Sequence, residues 1–175
     1  MLQNDYIMRM ILDLAMMMRR AFNLPDRDKG DCTDDIEAAV GEAVNIDPHL
    51  FFSLEPESAV ALLDMGDVDD ELATYVTRAM FYEAKILESE GNITTATLRR
   101  RQAVAICKKY GVEVPPDSES AEGLVQVFLD VLDDAEAEEE KDSEKKAEEG
   151  KEGDSPIHGG NFSTVNGIPL DKLKF

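Results

Sequence analysis

The sequence predicts an all-α fold, and three observations predict it. Apolar residues recur at spacings of three, four and seven in every long segment, the period of a helix with one buried face. Between those segments stand the residues that start and stop helices: Asp, Asn, Ser and Pro before, Gly and Pro after. Hairpin chemistry is confined to the end of the chain, where Asn166-Gly167 separates Ser163-Thr164-Val165 from Ile168-Pro169-Leu170.

The stretch 69–111 organises the rest. Its first half carries Leu72, Val76, Ala79, Met80, Ala84 and Leu87 on one stripe, and its second half carries Ala96, Ala103, Cys107 and Tyr110. Gly91-Asn92 makes the turn between them, so the spacing predicts a helical hairpin whose small Ala residues let the two helices approach closely. Asn92 is positioned to cap the second helix, and Gly111 followed by Pro115-Pro116 ends it.

Before the hairpin, residues 4–22 read as a helix with two adjoining apolar stripes. One is Tyr6, Met10, Leu14, Met17 and Ala21; the other is Ile7, Ile11, Leu14, Met18 and Phe22. Such a face suits a central core helix, or a surface for a partner. Its methionines (Met8, Met10, Met16, Met17, Met18) suit an adaptable contact, hence an expected homodimer through this helix. Pro25 to Thr33 reads as a polar loop, with Thr33 or Asp34 capping a short helix over 35–45 on Ile36, Ala39, Val40 and Ala43. The loop has calcium-like spacing in Asp26, Asp28, Asp34 and Glu37. Asp31 stands where that loop requires glycine, and Thr33 where it wants an apolar residue, so it is read as a cap. Leu50, Phe51, Phe52 and Leu54 form an apolar plug, and Pro56 opens a helix burying Val60, Leu62 and Leu63.

After the hairpin, Ser118 or Ser120 starts a last helix lined by Leu124, Phe128, Val131 and Ala135. The organisation is therefore a helical domain over 1–133, an acidic linker or helical extension over 134–155, and an apolar tail over 156–175 that could dock as a hairpin.

Two segments resemble known families. With Thr77 as the first position, Ala84, Gly91, Asn92, Ala96 and Ala103 fall where a tetratricopeptide unit wants small or turn residues, although Met80 and Arg100 stand where it often has aromatics. The opening Asp5-Tyr6-Ile7-Met8-Arg9 resembles that of an uncharacterised family of bacterial helical proteins, in which a short helical region and a tetratricopeptide-like hairpin follow. These resemblances imply an all-helical fold and a bacterial cytoplasmic setting, and they carry no activity.

Net charge is −20, from 38 acids and 18 bases; residues 134–175 hold 12 acids and 6 bases, which leaves −14 on the body. So acidic a body repels phosphate backbones, and nucleic acid is not an expected partner. Cys32 and Cys107 lie far apart without metal or redox spacing, which fits free thiols in a reducing cytoplasm. Arg9 and Asp13 interrupt the N-terminal apolar run, so no membrane span is expected. His49 beside the apolar plug reads as a structural histidine and His158 as a solvated one, with no zinc spacing. No nucleophile or phosphate-loop motif occurs. The pairs Asp34-Asp35, Asp69-Asp70 and Asp133-Asp134 read as helix-end acids, and Arg99-Arg100-Arg101 with Lys108 and Lys109 as surface bases paired to nearby acids.

The functional expectation is a module that binds a protein or peptide without cofactor, metal or catalysis. The alternative is a small helical enzyme or ligand-binding protein whose site is assembled across helices. Carried over from the tetratricopeptide resemblance, the peptide-holding face presents Arg78, Phe81, Tyr82 and Lys85. Two cations and two aromatics suit a peptide ending in a carboxylate, and this chain ends in Leu173-Lys174-Phe175. Leu173 and Phe175 are thus the residues expected to dock the tail in its own groove or a neighbour's.

Overall fold

A computed structural model describes residues 2–23, 29–66, 68–149, 164–165 and 168–169. Its elements run α1 (Leu2–Phe22), α2 (Lys29–Val44), α3 (Pro48–Ser53), α4 (Pro56–Leu63), α5 (Asp70–Ser89), α6 (Ile93–Tyr110), α7 (Ala121–Glu149), β1 (Thr164–Val165) and β2 (Ile168–Pro169). The described residues are all-helical apart from one antiparallel pair of two-residue strands. The chain divides into two units, Met1–Ala137 and Glu138–Phe175.

In the first unit α5 is the axis: twelve of its 20 residues are buried, on all sides of the helix. A helix apolar on one side only would sit at the surface; one buried all round must be surrounded. Ala84 on α5 and Ala96 and Ala103 on α6 are all fully buried, and such small side chains allow the close hairpin. The remaining sides of the core are filled from α1 (Ile7, Ile11, Leu14, Met18), α2 (Cys32, Ile36, Val40), α3 (Phe51, Phe52) and α7 (Leu124, Val125, Phe128).

Helix ends are written in local chemistry. Asp69 accepts the Leu72 N–H at 2.8 Å to start α5, and Asp47 accepts that of Leu50 at 2.9 Å to start α3. Three helices end alike, on a residue in the left-handed region: Asn45 (φ 54°), Gly91 (φ 82°) and Gly111 (φ 69°). In each case the next residue's N–H returns five places: Ile46 to Gly41, Asn92 to Leu87, Val112 to Cys107, at 2.8–2.9 Å. At the first of these a Cβ on Gly41 would lie 2.8 Å from the Ile46 carbonyl oxygen, so the chain can fold back there only over a glycine.

Several expectations need correction. The second helix begins at Lys29, six residues before the expected start at 35, so Thr33 and Asp34 lie inside it rather than at its start. Burial explains the extension: Cys32 continues the apolar stripe of Ile36 and Val40, and its thiol donates to the Ala21 carbonyl at 3.6 Å. Core packing there overrides the weak helix preference of the Gly30–Asp35 run. Asp34-Asp35 and Asp133-Asp134 accordingly sit in helix interiors, whereas Asp69-Asp70 does open a helix. Asn92 is at the N-cap position of α6, but its side chain makes no capping bond. His49 is exposed rather than packed in the plug, and Leu50 beside it is exposed too, leaving Phe51 and Phe52 to do the burying.

The segment 134–149 is helical, the last part of α7. In the second unit β1 pairs antiparallel with β2, Val165 opposite Ile168, around the two-residue connection that Asn166-Gly167 signals. Leu173 and Phe175, the expected docking residues of the tail, lie outside the described residues.

Candidate functional site

α6 has two working faces. Outward, Thr97, Arg100, Arg101, Val104, Ala105 and Lys108 form one wall of an open hollow of about 750 Å³. α4 supplies the other wall through Pro56, Glu57 and Val60, and Glu88 closes one end. Two ion pairs join the walls: Arg101 with Glu55 at 3.8 Å and Lys109 with Asp64 at 3.0 Å. The numbers rise together, so α4 and α6 run in the same direction and the hollow is a groove between parallel helices. Its floor is aliphatic (Val60, Val104, Ala105) and its rim charged. Arg100 is occupied by Glu88 at 2.6 Å and Asp117 at 3.6 Å. Lys108 is exposed and has no ion pair among the described residues.

Inward, the same helix carries a charge into the core. Arg99 is 1 % exposed. Its Nε donates to Glu83 Oε1 at 2.8 Å, and its terminal nitrogens donate to Gln102 Oε1 at 2.7 Å, to the Phe52 carbonyl at 3.2 Å and to the Glu37 carboxylate. The guanidinium also lies 3.9 Å over the Phe52 ring. Gln102, one turn on, donates to the Leu54 carbonyl at 2.6 Å and the Phe52 carbonyl at 3.3 Å. Four elements, α2, α3, α5 and α6, therefore meet on two side chains. Glu83 is fully buried and its Oε2 has no partner. Burial pushes its carboxyl up to about 8; the Arg99 charge pulls it back down in part, and Glu37 raises it again. Burial therefore favours the protonated form of Glu83, opposed by the guanidinium it faces.

The four residues expected to line a peptide groove do not form an open face. Phe81 and Tyr82 are buried, and Tyr82 packs on Phe22 with ring centroids 6.3 Å apart. Burial, with smaller effects of Cys32 and Glu122, pushes the Tyr82 phenol up to about 12. Arg78 is paired to Glu119 at 2.8 Å. Lys85 and Phe81 border a crevice of about 10 Å³ against Pro115, Pro116 and Leu124. The chain after α6 returns across the very face that an isolated repeat leaves open. The bases read as a surface cluster divide in the same way: Arg100, Arg101 and Lys109 make exposed or half-exposed pairs as expected, but Arg99 is sealed in the core.

A second, smaller surface feature flanks α1. Tyr6 is 56 % exposed and, with Met10 and Ala43, separates hollows of about 320 Å³ and 270 Å³. Of the two stripes read on this helix, Ile7, Ile11, Leu14 and Met18 are buried, while Met10 and Met17 are half-buried. Among the described residues, no group of three or more His, Cys, Asp or Glu could hold a metal ion, and no helix is long and apolar enough to cross a membrane. No protein-family model, curated protein or solved structure matches the chain.

Proposed function

We propose that this chain is an interaction module that receives a segment of another protein in the groove between α4 and α6. The observation that carries the reading is the groove itself: aliphatic at its floor, charged at its rim and wide open. That combination suits a docked chain better than a small substrate, which needs enclosure. The most perturbed acid, Glu83, is walled off from the groove's solvent by the body of α6, so the features of a catalytic site do not converge. The order of N-terminal helix, short helices and hairpin supports the likeness to the bacterial helical family, and the close Ala-lined α5–α6 pair supports that to a tetratricopeptide unit. Buried Cys32 and Cys107, neither of them in a disulfide, fit a reducing cytoplasm.

Site-specific photo-crosslinking tests the docking reading. A benzophenone side chain at Thr97, exposed on the groove wall, should capture a defined protein from a lysate of the source cells, one at exposed Gln126 on α7 should not, and adding Val104→Glu should abolish the capture. Equal capture from both positions would place the binding surface elsewhere.

A further inference from the structure

We infer that the segment received by the α4–α6 groove is an acidic amphipathic helix, with two carboxylates seven residues apart bracketing an aliphatic side chain. The inference rests on the docking reading above and adds the chemistry of the partner. Arg101, Val104, Ala105 and Lys108 lie on one face of α6 at i, i+3, i+4 and i+7 and all border the groove. They make a strip of cation, aliphatic floor, cation. Seven residues of helix span roughly 10 Å at 1.5 Å per residue. A partner helix with acids at i and i+7 repeats that spacing, and its residues at i+3 and i+4 then face Val104 and Ala105.

The state of the two cations supports this match. Arg100, deeper at the Glu88 end, is already bonded to two acids. Arg101 is held only loosely, 3.8 Å from a Glu55 carboxylate that is itself 72 % exposed, and Lys108 has no ion pair among the described residues. Both are available to carboxylates without first breaking a buried pair, and a loose exposed pair contributes little that would have to be given up. The second wall narrows the choice further. α4 runs parallel to α6 and is eight residues long, so the groove is a slot about two turns long between two helices. A third helix seats its ridge of side chains in such a slot, whereas an extended strand would find no sheet edge to pair with. Glu57, on the α4 wall, faces the partner's opposite edge and favours a basic or neutral residue there. The chain's own acidic stretch on α7 lacks the needed apolar residues: Glu138 to Glu149 contains only Ala among them. A second copy of that stretch would therefore leave the floor unfilled.

Fluorescence anisotropy with three labelled helical peptides of 18 residues tests the inference on the full chain. The first carries leucines at helical spacing flanked by glutamates at i and i+7, the second has lysines in place of those glutamates, and the third has alanines in place of the leucines. The first should bind at least tenfold more tightly than either of the others and weaken as salt rises. Arg101→Glu with Lys108→Glu should reverse the preference between the first two; both residues border solvent, and unchanged circular dichroism would verify the fold. If the lysine peptide binds as tightly as the glutamate peptide, with amide shifts at Val104 and Ala105, the acidic partner is wrong and the docking groove stands. If no peptide binds while the crosslinker in the groove still captures a protein, the acidic helix is wrong and the docking groove stands; if neither occurs, both fall.

Discussion

Arg99 and Arg101 are two residues apart on one helix, and they live in different solvents. Arg101 projects into the groove, 60 % exposed, with a single loose partner. Arg99 projects into the core, its side chain 2 % exposed, with two carboxyl groups, two carbonyl-type acceptors and an aromatic ring around it. The two positions differ by about 200° around the helix. Charge type says little about what a residue contributes; the face it occupies decides. In water a guanidinium–carboxylate pair barely outweighs its own hydration, and in the core neither partner tolerates loss of the other.

The largest test of that contrast is truncation. Arg99→Ala should cost about 3–5 kcal/mol of folding stability, because it strands Glu83 and Glu37 and removes a bond to the Phe52 carbonyl. Arg101→Ala should cost under about 1 kcal/mol. Urea denaturation of the two variants measures both, and comparable losses would erase the distinction between the faces.

The buried pair can also be replaced instead of broken. Arg99→Met combined with Glu83→Leu should be less destabilising than the two single changes added together, by about 1–3 kcal/mol of coupling. Strict additivity in the double-mutant cycle would mean the two side chains do not act as a unit.

A third test sharpens the contrast through pH. The Glu83 carboxyl is raised from 4.5 in the unfolded chain to about 8 in the folded one. Between those values the folded state keeps a proton that the unfolded state has released. Its contribution is therefore full below about pH 4.5, falls as pH rises, and levels off above about 8. Glu83→Gln, which mimics the protonated form, should flatten that part of the stability profile and be least disruptive at the alkaline end. A profile of unchanged slope would show that Glu83 does not hold the proton.

The smallest effect belongs to the outer face. The coupling between Lys109 and Asp64, both about half exposed, should be under about 1 kcal/mol at low salt and vanish near 1 M, while the Arg99–Glu83 coupling persists. Equal salt sensitivity of the two couplings would imply that water reaches Arg99.

The sequence by itself determined the all-α class, the hairpin and where the two hairpin helices begin and end. Asp69, Gly91 and Gly111 act within four or five residues of themselves, through a cap or a left-handed turn, so their meaning survives without knowledge of the rest of the chain. The alternation around Asn166-Gly167 was legible for the same reason. The buried arginine left a trace as well: Arg99 continues the Ala96–Ala103 stripe, and Glu83 lies between Met80 and Leu87 on that of α5. Two opposite charges on facing apolar stripes are the mark of an internal pair, but the run Arg99-Arg100-Arg101 hides it among surface bases. What only the tertiary structure decided is which faces are covered. The early start of α2 followed from the burial of Cys32, and the loss of the expected face around Phe81 and Tyr82 from the return of the chain after α6. The α4–α6 groove arose because α4 is too short to cover α6. Coverage depends on where segments distant in sequence come to rest, and the energy that places them comes from the whole core at once rather than from any local pattern.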